Sequence, residues 1–320
     1  MSNRFDNKRL LYILGGLIVI LAFTVLIKLP DESSTLKEKI VDFDSTEVSR
    51  IMLSPRSTYG RPFEFIRKEG TWIVRQDEIE SAAKKLETDN IILELLSVKP
   101  QNLVSKSKAK WAEYEVSDST GTRIRFMNKK GKVLSDLVVG KFTYKQSGNQ
   151  MNMYGRGNIR GTSYIRVTGE DEVYGVEGFL ALSFNRAFND WRDNTFLSIS
   201  TGDISSIKFD YPADSSFMLS NKDGKWFTDL IPADSAGVAD YLSTLGNLSG
   251  QEFNDSFKPV SNPDYQILIE GNNMLNISIK CYRQPDGSLV LNSSLNPDTY
   301  FNSSPEGIFG KIFIPRKKFI

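Results

Sequence analysis

The 320-residue chain contains no histidine and only one cysteine, and these two absences exclude several classes of enzyme. Without histidine there is no Ser-His-Asp or Cys-His nucleophile pair, no histidine-containing zinc site and no imidazole to act as a general base near neutral pH. With one cysteine there is no internal disulfide, so the fold must rest on its hydrophobic core. We therefore expect a non-enzymatic protein without metal or cofactor.

A large net charge is also missing, since 40 basic residues are balanced by 39 acidic ones. Without the N-terminal segment the remainder carries a net charge of about −2, which does not favour nucleic-acid binding. The glycine-rich stretch 154–161 lacks the Lys-Ser/Thr pair of a Walker loop. Two carboxylate pairs, Asp190 with Asp193 and Asp171 with Glu172, are better explained by a helix end and a turn than by catalysis.

The chain has a single long apolar run, from Leu10 to Ile27, without a charged residue. As a helix it would measure roughly 27 Å, close to the hydrocarbon thickness of a bilayer. No small-x-small cleavage site follows, which favours an uncleaved anchor over residues 10–29. The flanking charges are nearly balanced, but the short basic tail 1–9 favours a cytoplasmic N-terminus. We expect a single-pass protein of the bacterial inner membrane, mostly periplasmic, with a linker over 30–43.

Two stretches of the chain read almost alike: FEFIRKEGTWIV from Phe63 and FMLSNKDGKWFT from Phe217. Each contains an alternating run, a turn dipeptide (Glu69-Gly70 or Asp223-Gly224) and a tryptophan, a pattern typical of a β-hairpin. Helices are expected next, from Ser81 to Ser97 and from about Ser235 as N-cap. The apolar residues expected near one face of the first helix are Ala82, Leu86, Leu93 and Leu96.

Later segments of the two halves also match, at offsets of about 151 to 156 residues. YEVSD is paired with YQILI, TRIRF with NISIK, and NKKGKVL with QPDGSLV. The sequence thus predicts an α+β protein of two pseudo-repeated modules with antiparallel sheets, each built as strand, hairpin, helix and further strands. The modules are expected over 44–176 and 199–320, joined by a connector helix over 177–198 with Phe179, Leu182, Ala187 and Trp191 near one face.

Several residues receive structural roles from this pattern. Trp72 and Trp226 are expected to seal each sheet against its helix. Trp191, Arg192 and Asp193 mark the end of the connector helix, where Arg192 is expected to pair with Asp190 or Asp193. Cys281 alternates with isoleucines in a strand, which indicates a buried structural thiol.

The first half contains an extra stretch, from Phe142 to Gly161, that has no counterpart in the second. In and after it lies the most concentrated basic and aromatic cluster of the chain: Tyr154, Arg156, Arg160, Tyr164 and Arg166. Such a cluster suits an anionic surface or a partner protein, and insertions often carry function. The alternative is a solvated hairpin loop.

The order of the N-terminal anchor, EGTWIV, DGKWFT, YIRVTGEDEVYGV and NDWRDNTFL resembles the domain-of-unknown-function 4340 family. The resemblance covers most of the chain beyond the anchor and supplies no catalytic residues. It implies a single-span envelope protein, often encoded beside the permease and ATPase of an ABC export system of the gliding-motility type.

The expected function is therefore that of a membrane-anchored extracytoplasmic accessory or adaptor of an ABC-type transport complex. Its partners would be the permease or other membrane proteins. One alternative is an envelope glycan-binding protein or a carboxylate-dependent hydrolase with a cleft between the modules. Another is a self-associating structural envelope protein. The sequence leaves the oligomeric state open.

Overall fold

The computed structural model describes residues 12–19, 36–147 and 158–320. Residues 12–19 are helical. Within the described ranges, no helix has the length and apolar character needed to cross a membrane. The rest of the predicted anchor and the predicted tail 1–9 lie outside those ranges.

Two antiparallel sheets of nine strands each make up most of the described chain, which confirms an α+β fold dominated by antiparallel strands. The first sheet has the order β4-β3-β2-β1-β6-β7-β8-β9-β5. Its strands are β1 Arg50–Ser54, β2 Phe63–Lys68, β3 Thr71–Gln76, β4 Ile79–Ala82, β5 Pro100–Ser105, β6 Thr122–Met127, β7 Val133–Ser147, β8 Asn158–Val167 and β9 Val173–Glu177.

The second sheet has the order β14-β13-β12-β11-β17-β18-β19-β20-β16. A separate two-stranded sheet pairs β10 with β15. The remaining strands are β10 Thr195–Ser198, β11 Ile204–Asp210, β12 Phe217–Lys222, β13 Lys225–Thr228, β14 Ile231–Pro232, β15 Asn247–Ser249, β16 Glu252–Phe253, β17 Tyr265–Gly271, β18 Ile277–Arg283, β19 Leu289–Ser293 and β20 Asn296–Ser303.

Helices are few and, apart from two, short. After the N-terminal helical segment they are α1 Lys85–Ser97, α2 Trp111–Tyr114, α3 Leu180–Phe184, α4 Phe188–Trp191, α5 Ser235–Leu245 and α6 Ile308–Ile312. Turns of 3-10 helix occupy Ser45–Glu47, Arg56–Thr58, Lys108–Lys110, Thr201–Asp203 and Arg316–Phe319.

Each large sheet has its own hydrophobic core, formed against one of the two longer helices. Ile91, Ile92 and Leu95 of α1 belong to the first core, and Val238 and Leu245 of α5 to the second. Burying one such side chain contributes roughly 1.5–3 kcal/mol. The cores therefore explain how the protein folds without disulfides.

The two predicted hairpin turns are confirmed. Glu69 and Gly70 have φ values of 50° and 84°, and Asp223 and Gly224 have 51° and 80°. A two-residue hairpin turn of this type needs positive φ at both positions, which glycine adopts without cost and aspartate tolerates. The turns set the strand registers, with the last residue of β2 opposite the first of β3, and likewise for β12 and β13.

The predicted first helix starts too early, because residues Ile79–Ala82 pair with β3 as β4. Its predicted buried face is also wrong, since Leu86 is 79% exposed and Leu93 is 61% exposed. Apolar residues occur on both sides of α1, so periodicity alone selected the wrong side. In the second helix the N-cap is Asp234, not Ser235, and its carboxylate accepts a hydrogen bond from the Gly237 amide at 2.8 Å.

The predicted pairing of later strands is wrong as well. YEVSD forms no strand, because Tyr114 ends α2 and turns follow it. The strand beside β1 is β6, which begins at Thr122, and the strand beside β11 is β17, which begins at Tyr265. The first residues of β6 and β17 are 143 residues apart, whereas the first residues of β1 and β11 are 154 residues apart. Similar glycine turns at successive hairpins allowed a match that was one strand out of step.

The predicted connector helix is divided into α3 and α4. Asn185 leaves the helical conformation, and the Asp190 carboxylate caps α4 by accepting the Ala187 amide at 2.8 Å. The predicted apolar face is therefore not continuous: Leu182 is 60% exposed, while Trp191 is buried.

Candidate functional site

The extra stretch of the first half lengthens a β-hairpin. β7 and β8 pair from Leu137 opposite Val167 to Ser147 opposite Asn158, with a register shift between Val139 and Phe142. In the second sheet the β18–β19 hairpin closes with Arg283 opposite Leu289. We call residues 142–147 and 158–163 the β7–β8 ribbon. Of the segment predicted as a solvated hairpin loop, residues 158–161 belong to β8, and residues 154–157 lie outside the described ranges.

The two faces of the ribbon have different chemistry. Tyr144 pairs with Gly161, and Ile159 lies one step further along the same face; they are 67% and 58% exposed. Lys145 lies directly opposite Arg160, and both are exposed. Because side chains alternate along a strand, these two bases occupy the other face. The ribbon therefore has one apolar face and one basic face.

The basic face continues onto the outer surface of the first sheet. Tyr164 follows Arg160 on the same side of β8, and its ring lies 4.7 Å from that of Tyr114. The Lys141 ammonium lies 5.7 Å from the Tyr114 ring centre. Burial, with a smaller contribution from Glu113, raises the pKa of the Tyr114 phenol. Neutral rings and bases thus lie side by side at the root of the ribbon.

Arg166 has a different environment from the rest of the predicted cluster, because it is only 1% exposed. Its Nε donates to the Val116 carbonyl at 2.9 Å, and its Nη2 pairs with Asp118. The guanidinium lies 3.9 Å from the Trp111 ring centre. Arg166 therefore holds the segment 106–121 against the sheet and offers no surface to a partner.

Of the other predicted partner-binding residues, Arg160 and Tyr164 lie along the ribbon and its root. Tyr154 and Arg156 lie outside the described residues. The partner-binding hypothesis thus rests on Arg160 and Tyr164, together with Tyr144, Ile159 and Lys145. Sequence reasoning did not single out these last three, although all lie within or beside the extra stretch.

A second feature is the junction between the two sheets, where Arg192 binds a residue that the sequence did not indicate. Its two Nη atoms donate to the Asp255 carboxylate at 2.8 and 2.6 Å. The side chain is 3% exposed, and its guanidinium lies 3.8 Å from the Phe253 ring centre. The expected pairing with Asp190 or Asp193 is wrong, because Asp255 takes both ends of the guanidinium.

Asp193 completes the junction mainly through its backbone. Its amide donates to the Ala82 carbonyl at 2.7 Å, and its own carbonyl accepts from the Asn296 side chain at 3.0 Å. Its carboxylate accepts the Thr195 amide at 2.9 Å. The connector is therefore joined to β4 on one side and to β20 on the other.

The three other predicted structural residues are tryptophans. Trp72 is 3% exposed, and its indole Nε1 donates to the Asp89 carboxylate of α1 at 3.0 Å. Trp191 is buried and packs edge-to-face with Phe65 at 5.3 Å. Trp226 is only partly buried against the second core. Trp72 thus links the first hairpin to its helix by a hydrogen bond as well as by packing.

The described part of the chain has no cluster of three or more metal-ligating side chains. Cys281 is buried, and burial raises the pKa of its thiol to about 12. A thiol in this state is neither nucleophilic nor a ready metal ligand. The interpretation of Cys281 as a buried structural thiol is confirmed.

Comparisons with curated proteins and with solved structures give no match. A family model, the domain of unknown function DUF4340, matches residues 77–267, which is more than half of the chain. The matched region extends from the β3–β4 turn through the ribbon and the junction into β17. The protein therefore belongs to the DUF4340 family of proteins with a domain of unknown function.

Proposed function

We propose that the protein is a membrane-anchored, non-enzymatic adaptor of an ABC-type transport complex, and that the β7–β8 ribbon is the part that contacts the partner. The observation that carries this proposal is the two-faced, solvent-exposed ribbon of the first sheet. The uncharged run from Leu10 to Ile27 supports the anchor. The adaptor would act on the outer side of the cytoplasmic membrane.

The composition of the ribbon suits a protein interface. Tyrosine and arginine are enriched among the residues that dominate binding energy, and exposed apolar side chains gain most from being covered. Lys145 and Arg160 face each other across the strands, where like charges are destabilising. A partner surface with carboxylates would relieve that repulsion.

The position of the ribbon favours a partner that extends away from the membrane surface. Lys37 binds Glu170 in the β8–β9 turn, so the chain enters the first sheet at that end. β7 passes beside this turn, where the Thr168 amide donates to the Asp136 carbonyl, and it ends at Ser147 at the opposite end. At about 3.3 Å per residue, the ribbon tip lies about 40 Å from the point of entry.

We also infer that the protein consists of two pseudo-repeated modules. This inference is supported by the corresponding order of strands in the two large sheets, by the matching hairpin turns and by a helix after each hairpin. In such a pair one copy can keep the framework while the other acquires an insertion. The ribbon occurs only in the first of the two sheets.

Co-purification tests the proposal. The full-length protein would be expressed with the genes that flank it, extracted in mild detergent and isolated, and bound proteins would be identified by mass spectrometry. We expect a transporter permease in nearly stoichiometric yield. Recovery of the protein alone, or only as a complex with copies of itself in light scattering, would contradict the adaptor function.

A further inference from the structure

The second sheet borders a polar cleft of about 830 Å³, far along the chain from the ribbon. Its walls come from β15, β16, the end of β20, the turn before β19 and the start of α6. The residues that line this polar cleft are Asn247, Leu248, Ser249, Gln251, Glu252, Asn254, Asp286, Ser288, Asn302, Ser303, Ser304, Gly307, Ile308 and Lys311.

Neutral polar groups dominate the lining. Eleven of the fourteen residues have polar side chains, and eight of those are amides or hydroxyls. The charged groups are few and leave one net negative charge, because Lys311 offsets only one of Glu252 and Asp286. Leu248 and Ile308 add apolar surface. The cleft therefore offers many hydrogen bonds with little net charge.

Much of this hydrogen-bonding capacity is unused by the protein. The Asn254 Nδ2 donates to the Asn302 side-chain Oδ1 at 2.8 Å, which leaves the two Nδ2 hydrogens of Asn302 available. Among the described residues, the side chains of Asn247, Gln251 and Lys311 have no hydrogen-bond or ion-pair partner. An amide both donates and accepts, as does a sugar hydroxyl.

We propose that the polar cleft binds a short neutral oligosaccharide. A strongly anionic ligand would be repelled by Glu252 and Asp286, and a strongly cationic one would find only one net negative charge to compensate it. An apolar ligand would leave the amides desolvated and unpaired, which is costly. The volume lies within the usual range for ligand sites, about 300–1,000 Å³. A polyhydroxylated ligand satisfies the lining, and its ring C–H groups can cover Leu248 and Ile308.

The cleft is connected to the sheet junction through β16. Glu252 precedes Phe253, whose ring stacks on Arg192, and Asn254 precedes Asp255, which binds Arg192. A ligand held by Glu252 and Asn254 would therefore order the segment 252–255, which carries both the Phe253 ring and the Asp255 carboxylate that contact Arg192. Bound ligand should slow amide hydrogen exchange at 252–255.

The test uses full-length protein in a detergent without a sugar headgroup. Maltotriose, cellotriose and N-acetylglucosamine trimer would each be titrated, with saturation-transfer NMR to detect binding and calorimetry to measure Kd. We expect saturable binding of at least one of them. The double variant Asn247→Ala/Gln251→Ala should bind it at least tenfold more weakly, since two hydrogen bonds are removed.

The control is Asn90→Ala, which removes an exposed side-chain amide from α1, the helix that packs on the first sheet. This substitution should leave Kd unchanged. Asn247 and Gln251 are exposed, so the double variant should fold normally, as its thermal unfolding would verify. The proposal would be overturned if none of the three sugars showed saturable binding. It would also be overturned if the double variant bound the sugar with the same Kd as the wild type. Because the ribbon is not involved, failure here leaves the adaptor proposal standing, and the reverse also holds.

Discussion

The two large sheets share a strand order and differ where two of their hairpins end. In the first, β7 and β8 continue as a ribbon past the rest of the sheet; in the second, β18 and β19 close in a short turn beside the polar cleft. The shared part is what packing requires: a hairpin, a helix and a buried face. The differences lie at exposed positions, where sequence can change with little effect on the core.

The outer faces of the sheets are covered by different means. In the first, the Arg166 guanidinium stacks on Trp111 and holds the covering segment by its ion pair with Asp118. In the second, Phe257 lies 5.2 Å from Tyr282 and 5.0 Å from Tyr300. The first sheet thus uses a buried cation on an aromatic ring where the second uses a cluster of three aromatic rings.

The largest expected effect is a difference in the free energy of unfolding between alanine variants of the two hairpin tryptophans, Trp72 and Trp226. Trp72→Ala should lower the free energy of unfolding by about 3–5 kcal/mol, because it opens a cavity and leaves Asp89 without its donor. Trp226→Ala should cost only about 1–2 kcal/mol, because that side chain is partly exposed. Urea denaturation of both variants measures the difference. Equal losses would mean that the hairpins contribute alike.

The next largest loss of stability is expected at the junction between the two sheets. Asp255→Asn removes the charge that compensates the buried Arg192 guanidinium, and we expect a loss of about 2–3 kcal/mol. The matched control is Asp77→Asn, which alters the exposed pair with Arg61 and should cost less than about 1 kcal/mol. Both are read from the urea midpoint. A loss no larger than that of the control would show that the sheets are held together without this pair.

A smaller difference in stability between the two large sheets should appear at acidic pH. Burial raises the pKa of Asp136, but hydrogen bonds from Arg123 and Arg125 outweigh it, so the pKa is lowered overall. The resulting stability is present above the unfolded-state pKa of about 3.9 and is lost as pH falls through the lower folded-state value. Among the described residues of the second sheet, no carboxylate is held by two arginines.

The first sheet should therefore lose more stability as the pH falls below about 4. A Trp226→Phe background leaves tryptophan fluorescence only in the first half, and in it Asp136→Asn should flatten the pH dependence. An unchanged slope would assign the acid sensitivity to other groups.

Local features of the fold were predictable from sequence, and distant ones were not. The turns at Glu69-Gly70 and Asp223-Gly224 are specified by adjacent residues, so they were found. The pattern places Leu86 and Leu93 on one apolar face of α1, but α1 carries apolar residues on both sides, and only the neighbouring sheet decides which side is buried. The later strands were matched out of step because their turns resemble one another.

The candidate site also combines local features that the sequence predicts with distant contacts that it does not. The clustering of Arg160, Tyr164 and Arg166 is visible in the sequence, but nothing nearby in sequence indicates that segment 106–121 covers Arg166. Asp255 lies 63 residues from Arg192, and no local pattern connects them. The polar cleft combines residues from five segments, each of which reads as ordinary surface by itself.

The most direct test of the adaptor function compares two double variants in the co-purification experiment. Tyr144→Ser/Ile159→Ser removes the exposed apolar side chains of the ribbon. Tyr59→Ser/Leu86→Ser removes a tyrosine and an aliphatic side chain that are more exposed, elsewhere on the first half. We predict that the ribbon variant loses most of the captured permease while its urea midpoint stays unchanged, and that the control captures as much as the wild type. Full capture by the ribbon variant would contradict the account.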